Sequence, residues 1–399
     1  MSFDFTTLYD RRGRDALAID IADKVPAFAP KEGFDIIPMW VADMNFATAP
    51  SVQAAIMKRL EHPLYGYFMT PDAYFDAIIH WQETRNGVKG LQKEHIGYEN
   101  GVLGGLISAL NAVCARGDRV LVHSPTYIGF TGAIENAGYY IVTSDLRQDQ
   151  QGVWRMDLSD MEEKVKANDI RALVFCSPHN PTGRVWEREE LEALMEMARR
   201  LRLTVISDEI WSDLTLPGHR HIPLQSISED ARERSIALYA PSKTFNIAGL
   251  IGSYHIIYNE ALRRRVEKEA RNSCYNNMNV LSMHALIGAY SDEGAVWVDA
   301  LREVLGRNVE YACSFIQREL KGVRLCQPEG TYMLFLDCED YCRMSGRSLD
   351  ELQKAGYEVG VLWQDGRPFH GPHHIRMNLA LPSARLEEAL RRLRDYVFI

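Results

Sequence analysis

Between about residues 96 and 257 the sequence alternates short apolar segments with amphipathic ones, and this alternation constrains the fold more than any other feature. Six apolar segments have the length of strands, at residues 119–123, 139–143, 172–176, 203–207, 235–239 and 252–257. Strands that are apolar along their whole length and are separated by helices are typical of a parallel sheet covered on both faces. The sequence therefore predicts an α/β fold in which helices sandwich a mostly parallel sheet.

The chain is organised differently on either side of this pattern. Beyond residue 290 we expect a long helix, short strands and a closing helix, at residues 295–320, 331–336, 375–379 and 383–397. Before residue 49 a short strand is expected at residues 36–41, and Ser51 is placed to cap a helix that runs to Leu60. We therefore expect three regions: an N-terminal arm that joins a small domain (1–48), a large domain (49–290) and a small α+β domain (291–399).

Composition argues against several classes of function. The net charge of −9 disfavours a nucleic acid or an anionic membrane as a partner. No window approaches the roughly 18 apolar residues that a membrane helix needs, and the first residues lack the layout of a signal peptide. Seven scattered cysteines suit a reduced, cytoplasmic compartment. Cys338 and Cys342 have no second cysteine or histidine pair close behind them, so no metal site is expected.

Four side chains that are able to take part in binding or catalysis occur just after predicted strands: Tyr127, Asn180, Asp208 and Lys243. Parallel sheets bind their ligands beyond the carboxyl ends of the strands, so we expect these side chains to share one site. Lys243 lies in the turn that follows the strand at residues 235–239. Partial burial lowers the pKa of a lysine, and its amine can form a Schiff base with a carbonyl compound.

This set of side chains meets the requirements of pyridoxal phosphate, a cofactor that withdraws electrons from its substrate. The cofactor needs a lysine for its aldehyde and an anion beside its pyridine nitrogen, and Lys243 and Asp208 are the candidates. Asn180 is expected to donate a hydrogen bond to the ring oxygen, and Tyr127 is expected to stack on the ring. The four residues therefore predict a single cofactor site.

The cofactor phosphate is expected at the start of the helix that opens at Gly101–Gly105. The backbone amides of Val102 and Leu103 are free to bind an anion there, as at other helix N-termini. The same glycines do not form a G-x-G-x-x-G pattern after a strand, which argues against a nicotinamide-dependent dehydrogenase.

An ordered set of motifs across residues 30–395 resembles the pyridoxal-phosphate enzymes of fold type I, in the aminotransferase class I/II family. Within that family the set is most similar to the carbon–sulfur β-lyase (cystalysin-like) subfamily. The motifs are Met39–Met44, Tyr65–Tyr67, Ser177–Trp186, Asp208–Ile210, Ala240–Gly249, Gly330–Tyr332 and Ile375–Asn378. The resemblance implies a mostly parallel seven-stranded sheet with a smaller α+β domain.

The resemblance also implies roles for further residues. Tyr67 matches the tyrosine that reaches the phosphate in the neighbouring subunit, so a homodimer with shared active sites is implied. Tyr65 is the alternative for that role and a candidate for contact with the substrate. Ser242 matches a phosphate contact. Arg376 matches the arginine that binds the substrate α-carboxylate, with Asn180 beside it.

Several positions depart from the subfamily pattern. Trp211, expected beside the cofactor, stands where relatives have histidine or tyrosine, and its indole can donate a hydrogen bond but not accept one. Ile128 and Ile251 replace a second tyrosine and a phosphate-binding arginine. Structural roles also stay open for some of the candidates, because Asp208 suits a helix cap and Arg376 suits a surface strand. Tyr127 likewise suits a packed core position.

The activity that the residues favour is β-elimination from a sulfur amino acid, with pyruvate, ammonia and a thiol as products. Lys243 would act both as covalent anchor and as general base. An aminotransferase requires the same residues up to removal of the α-proton, so it stays an alternative. A regulatory protein that retains the cofactor and acts through a partner surface is a second alternative.

Overall fold

The computed structural model describes residues 3–272 and 276–399 of the chain. Its α-helices are α1 Leu17–Asp20, α2 Pro50–Leu60, α3 Asp72–Asn86, α4 Val102–Val113, α5 Ile128–Asn136, α6 Leu158–Asn168, α7 Arg188–Leu201, α8 Glu229–Arg234, α9 Glu260–Asn272, α10 Val280–Ala289, α11 Asp292–Glu319, α12 Glu339–Ser345, α13 Leu349–Glu358 and α14 Ser383–Arg392.

The strands form a large central sheet and several smaller ones. They are β1 Ile37–Pro38, β2 Ile96–Glu99, β3 Arg119–Ser124, β4 Tyr140–Asp145, β5 Arg147–Gln148, β6 Trp154–Arg155, β7 Ala172–Cys176, β8 Thr204–Asp208, β9 Ser235–Tyr239, β10 Ser253–Ile256, β11 Arg324–Leu325, β12 Met333–Asp337, β13 Val361–Leu362, β14 Gln364–Asp365 and β15 His374–Asn378.

The central sheet has seven strands in the order β2-β10-β9-β8-β7-β3-β4. Strands β9, β8, β7, β3 and β4 pair in parallel, and β10 runs antiparallel to both of its neighbours. The expected α/β fold with a mostly parallel seven-stranded sheet is confirmed.

Both faces of this sheet are covered because alternate side chains of each central strand enter different cores. Val120 and Val122 of β3 pack into the core beneath α4 and α5, whereas Leu121 packs on the other face with α6 and α7. Every residue of β7 and β9 is buried, which explains why residues 172–176 and 236–239 are apolar without interruption. The polar ends of these strands are therefore the places where the sheet can present chemistry.

A second, antiparallel sheet has the order β11-β12-β15-β14. The N-terminal segment joins this part of the chain, because β1 pairs in parallel with β13 through Ile37 and Val361. The segment that follows β1 then crosses to the carboxyl ends of the central strands, where Ala42 contacts Lys243. This crossing puts the two sheets on either side of one site.

Two local predictions were wrong. The strand expected at residues 36–41 is reduced to β1, because the carbonyls of Trp40 and Val41 accept from the side chains of Arg376 and Asn378 instead of from a neighbouring strand. Ser51 is not a helix cap: α2 begins at Pro50, whose fixed φ suits a first helical turn. The closing helix predicted at residues 383–397 is confirmed, with α14 continued by a π-helical turn at Leu393–Val397.

Within the described ranges, none of the helices is long and apolar enough to cross a membrane. The same part of the chain contains no group of three or more side chains that could hold a metal ion. Its six cysteines are all free thiols.

Candidate active site

The carboxyl ends of β3, β7, β8 and β9 lie at one edge of the central sheet and carry Tyr127, Asn180, Asp208 and Lys243 in the segments that follow or end them. Backbone hydrogen bonds tie these ends together. The amide of Ser177 donates to the carbonyl of Asp208 at 2.9 Å, and the amide of Glu209 donates to the carbonyl of Leu238 at 2.9 Å. The four predicted residues therefore come together because their strands are parallel neighbours.

Lys243 points its amine at the segment that crosses from β1. Its Nζ donates to the carbonyl oxygen of Ala42 at 2.9 Å, and the hydroxyl of Tyr332 donates to the same oxygen at 3.0 Å. Burial, with a smaller contribution from Arg376, lowers the pKa of Lys243 to about 8. The lysine is therefore held by a neutral acceptor and has an unusually large neutral fraction near physiological pH.

Trp211 forms a wall of the lysine site. The ring is buried and packs edge-on against Tyr332, with 4.8 Å between ring centroids. The Lys243 amine lies 5.9 Å from the Trp211 ring centroid. An aromatic ring at this distance favours the cationic form of the lysine weakly.

Asp208 ends β8 with its carboxyl group buried. Its Oδ1 accepts a hydrogen bond from the amide of Ile210 at 3.0 Å. Burial raises the pKa of Asp208 to about 7, although that hydrogen bond and Lys243 both oppose the rise. The bond to Ile210 is a turn contact two residues away, so the carboxyl retains acceptor capacity for a ligand.

The neighbouring Glu209 fixes the turn that carries Asp208. Its buried carboxylate accepts from the Tyr239 hydroxyl at 2.6 Å, the Ser207 hydroxyl at 2.9 Å and the Leu224 amide at 3.1 Å. His221 Nε2 lies 2.7 Å from the same carboxylate. A carboxylate with this many partners holds its strand end rigidly.

Arg376 lies on β15 and is only 3% exposed, so it is not a surface strand arginine. Its Nη1 donates to Oδ1 of Asn180 at 3.1 Å, and its Nη2 donates to the Trp40 carbonyl at 3.1 Å and to Oε1 of Gln364. The ring of Phe369 lies 4.5 Å from the guanidinium. Burial lowers the pKa of Arg376 to about 10, which leaves it charged at neutral pH.

Residues 40–46, which we call the crossing segment, connect these groups. Asn378 donates to the carbonyls of Val41 and Asp43 at 2.6 and 2.5 Å. Asn246, three residues after Lys243, bonds to the amide and the carbonyl of Met44 at 2.8 and 3.0 Å. The Arg11 side chain forms an ion pair with Asp43 at 2.5 Å. The crossing segment is therefore held by side chains from three parts of the chain.

Tyr127 is half-buried and lies close to this cluster. Its ring packs edge-on against Phe130, with centroids 5.4 Å apart, and the ring centroid of Phe369 is 6.5 Å away. The amide of Thr126 donates to the carbonyl of Phe369 at 3.0 Å. Partial exposure distinguishes Tyr127 from a fully packed core ring and leaves one part of the ring accessible.

The start of α4 lies after β2, at Gly101. This glycine has a φ of +83°, and the helix begins at Val102 with no side-chain cap. The first amides of a helix have no intrahelical partner, so those of Val102 and Leu103 are able to bind an anion. Ser242 is half-buried in the turn before Lys243.

Tyr65 and Tyr67 lie in the loop between α2 and α3. The Tyr67 side chain is fully exposed, and the Tyr65 ring lies under the guanidinium of Arg59 at 5.3 Å. A single chain does not bring either tyrosine into the Lys243 cluster. Ile251 is exposed as well, so its side chain does not fill the site from within.

Sequence reasoning missed the partners that position the cluster. Gln364, the Tyr332 hydroxyl and the carbonyls of Trp40 and Ala42 each bond to Lys243 or Arg376, or to their acceptors. The motifs around Met39–Met44 and Tyr332 mark these segments. The backbone acceptors themselves have no side-chain signature in a sequence.

The residues fit an aldehyde cofactor with a pyridine ring and a phosphate. A half-buried amine with a pKa of about 8, a buried carboxyl with free acceptor capacity, an accessible ring and a helix that begins after a glycine converge at one sheet edge. A mostly parallel seven-stranded sheet that presents this set defines the fold type I class of pyridoxal-phosphate enzymes.

Residues 35–393 match the family Aminotransferase class I and II, and the chain belongs to that family. The chain is 35% identical over 363 residues to the cystathionine beta-lyase PatB of Bacillus subtilis (strain 168), covering 90% of this chain and 92% of the relative. It is 30% identical to the protein MalY of Escherichia coli (strain K12), covering 97% of each. The crystal structure of cystalysin from Treponema denticola, which contains pyridoxal 5'-phosphate, superposes with a TM-score of 0.91 at 29% identity. That superposition covers 99% of this chain and 98% of cystalysin.

Proposed function

We propose that this protein is a pyridoxal-phosphate-dependent carbon–sulfur β-lyase. The reaction converts a sulfur amino acid and water into a free thiol, pyruvate and ammonium. The observation that supports it most directly is the environment of Lys243, a half-buried amine that donates to the Ala42 carbonyl at 2.9 Å in the same cluster as Asp208 and Arg376, and whose pKa is lowered to about 8. The similarity to the cystathionine beta-lyase PatB favours elimination over transamination.

Bound pyridoxal phosphate would supply an aldehyde that captures the substrate amine and a ring that withdraws electrons from the substrate Cα. Lys243 would hold the aldehyde in the resting enzyme. The free Lys243 Nζ would take the proton from the substrate Cα, as its lowered pKa allows near neutral pH. Asp208 would hold a proton at the pyridine nitrogen, and Tyr127 would stack on the ring.

Arg376 would bind the substrate α-carboxylate, with Asn180 oriented by the same guanidinium. In the proposed site Asn180 also donates to the ring oxygen. Val102, Leu103 and Ser242 would bind the phosphate through backbone amides and a hydroxyl. Trp211 would shield Lys243 from water during proton transfer.

The Lys243 amine would return its proton to the sulfur as the thiol leaves from Cβ. Ile128 and Trp211 cannot supply that proton, because an alkyl side chain and an indole do not act as acids near neutral pH. The remaining enamine fragment is hydrolysed to pyruvate and ammonium. This assignment makes Lys243 the base and the acid of the reaction, as well as the covalent anchor.

We further propose a cytoplasmic homodimer with shared active sites, in which Tyr67, or alternatively Tyr65, contacts the phosphate bound by the neighbouring subunit. The exposed apolar side chains of Leu64, Tyr67 and Met69 support this arrangement, since single chains rarely expose such a group without a partner surface. We also propose the division into an N-terminal arm (1–48), a large domain (49–290) and a small α+β domain (291–399).

The deciding experiment incubates purified protein with pyridoxal phosphate and L-cystathionine in the absence of any keto acid. The proposal predicts sustained release of pyruvate and thiol in equal amounts, and Lys243→Ala abolishes both. If pyruvate is absent and the amino acid is consumed only when a keto acid is added, the protein is an aminotransferase.

A further inference from the structure

Gln364 faces the guanidinium of Arg376 across two adjacent strands. The two residues are directly opposite each other in the antiparallel pair of β14 and β15, so their side chains project from the same face of the sheet. Oε1 of Gln364 accepts a hydrogen bond from Nη2 of Arg376. Since a guanidinium only donates, the oxygen of the amide must be the atom that faces it.

All the hydrogen-bond acceptors that hold Arg376 are uncharged. They are the side-chain oxygens of Asn180 and Gln364 and the backbone carbonyl of Trp40. Across residues 3–272 and 276–399, no carboxylate forms an ion pair with Arg376. Its Nε is buried and has no hydrogen-bond partner among the residues that the structure describes.

Two other arginines of the described residues are buried, and both have carboxylate partners. Arg184 forms ion pairs with Glu190 and Glu329, each at 2.5 Å, and Arg392 forms ion pairs with Asp35 and Glu388. A buried cation without a carboxylate partner is costly to desolvate. Arg376 therefore differs from Arg184 and Arg392, because uncharged groups hold it and its positive charge is not neutralised by a carboxylate of the described residues.

We propose that Gln364 is a positioning residue that orients Arg376 and leaves its charge uncompensated for the substrate α-carboxylate. This inference rests on the proposed role of Arg376 as the carboxylate-binding residue. A glutamate at position 364 would have the same shape and the same acceptor oxygen. Its negative charge would pair with Nη2 and compete with the substrate for the guanidinium.

The test compares Gln364→Glu with Gln364→Met in the holoenzyme. If Gln364 only supports the fold, the glutamate variant is the milder one, because it keeps the hydrogen bond to Arg376. If Gln364 preserves the charge of Arg376, the glutamate variant is the more damaging one. We expect the KM of the glutamate variant for the amino-acid substrate to rise about tenfold or more, with a smaller change in kcat. The KM of the methionine variant is expected to rise only a few-fold.

Binding of 3-(methylthio)propanoate provides a readout that does not depend on turnover. This carboxylate lacks an amine, so it occupies the arginine site without reacting, and its Kd is measured by calorimetry. We expect Gln364→Glu to weaken its binding by about the same factor as the KM change. Gln148→Glu, at an exposed position, adds the same charge and is expected to bind the probe like the wild type.

The outcomes separate this inference from the proposed function. Weaker probe binding in Gln364→Glu than in Gln364→Met supports the inference even when the wild type eliminates no thiol, in which case the β-lyase assignment fails alone. Equal or tighter probe binding by Gln364→Glu overturns the inference even when the wild type is an active lyase. A thermal unfolding midpoint within the wild-type range for both variants ensures that folded proteins are compared.

Discussion

Burial shifts the pKa values of Lys243 and Asp208 toward each other, to about 8 and about 7. For the lysine, burial disfavours the cation, and for the aspartate it disfavours the anion. The ordinary values are 10.5 and 3.8, so both groups come close to titrating at neutral pH. Groups shifted in this way are typical of sites where protons move.

The shift of Asp208 predicts a measurable cost to stability. An acid whose pKa is raised on folding binds more protons in the native state, so stability falls as the pH rises from 3.8 to about 7. A shift of this size corresponds to roughly 4 kcal/mol above pH 7. Asp208→Asn removes the titration while its amide oxygen still accepts from Ile210.

We therefore expect cofactor-free Asp208→Asn to be more resistant to urea than the cofactor-free wild type, and to lose elimination activity with cofactor present. The stability gap should widen between about pH 4 and pH 7 and stay constant above it. Denaturation curves at a series of pH values test this. A gap that does not change with pH would contradict the assignment of the cost to Asp208.

The lowered pKa of Lys243 predicts how the cofactor-free protein captures an aldehyde. The neutral amine is the nucleophile, and at pH 7 its fraction is about 10% for a pKa of 8 but far below 1% for an ordinary lysine. The capture rate of pyridoxal phosphate should rise with pH to a midpoint near 8, followed by absorbance. Arg376→Met should move that midpoint upward, since the guanidinium helps to lower the pKa. A midpoint that stays in place would show that burial acts alone.

At the scale of single elements, helix α5 controls the position of Tyr127. A Cβ atom at Gly129 would lie 2.3 Å from Cε1 of the Tyr127 ring, so Gly129→Ala forces the ring to move. Because aromatic stacking contributes about 0.5–1.5 kcal/mol, the Kd for pyridoxal phosphate should rise about two- to twelvefold. Fluorescence titration of the cofactor-free variant measures this.

The same helix provides a matched control. Gly132 lies one turn further on, and a Cβ there meets no atom within 4 Å. Gly132→Ala should stabilise the helix by about 0.5–1 kcal/mol and leave cofactor affinity unchanged. Equal affinities in both variants would mean that the Tyr127 ring does not contact the cofactor.

Elements also differ in how far the sequence predicts them. Asp208 and Lys243 could be placed because each is next to its own buried strand, and parallel strands bring their ends together without further information. The pairing of Gln364 with Arg376 could not be predicted from the sequence, because β14 has only two residues and its register is set by the partner strand. The prediction of strand at residues 40 and 41, the first two of the crossing segment, is wrong because side chains rather than a strand bind their carbonyls.

For the whole molecule, the loop between α2 and α3 is the main feature that a single chain leaves unexplained. Tyr67 is fully exposed and Met69 is 92% exposed, in a loop that also exposes Leu64. In a symmetric dimer the same loop from each subunit would reach the other subunit's site. The proposed sharing of active sites thus predicts that defects in Tyr67 and Lys243 act on different subunits.

Mixing two inactive or weakened variants tests this sharing. In a mixed dimer of Lys243→Ala and Tyr67→Phe, one site combines an intact lysine with an intact tyrosine from the neighbouring chain. After unfolding and refolding together, the mixture should recover about a quarter of wild-type activity at limiting cofactor, because half of the dimers are mixed and each has one complete site. Lys243→Ala mixed with the double variant Lys243→Ala/Tyr67→Phe creates no complete site and serves as the control. Recovery no greater than the sum of the separate variants would place Tyr67 in the site of its own chain.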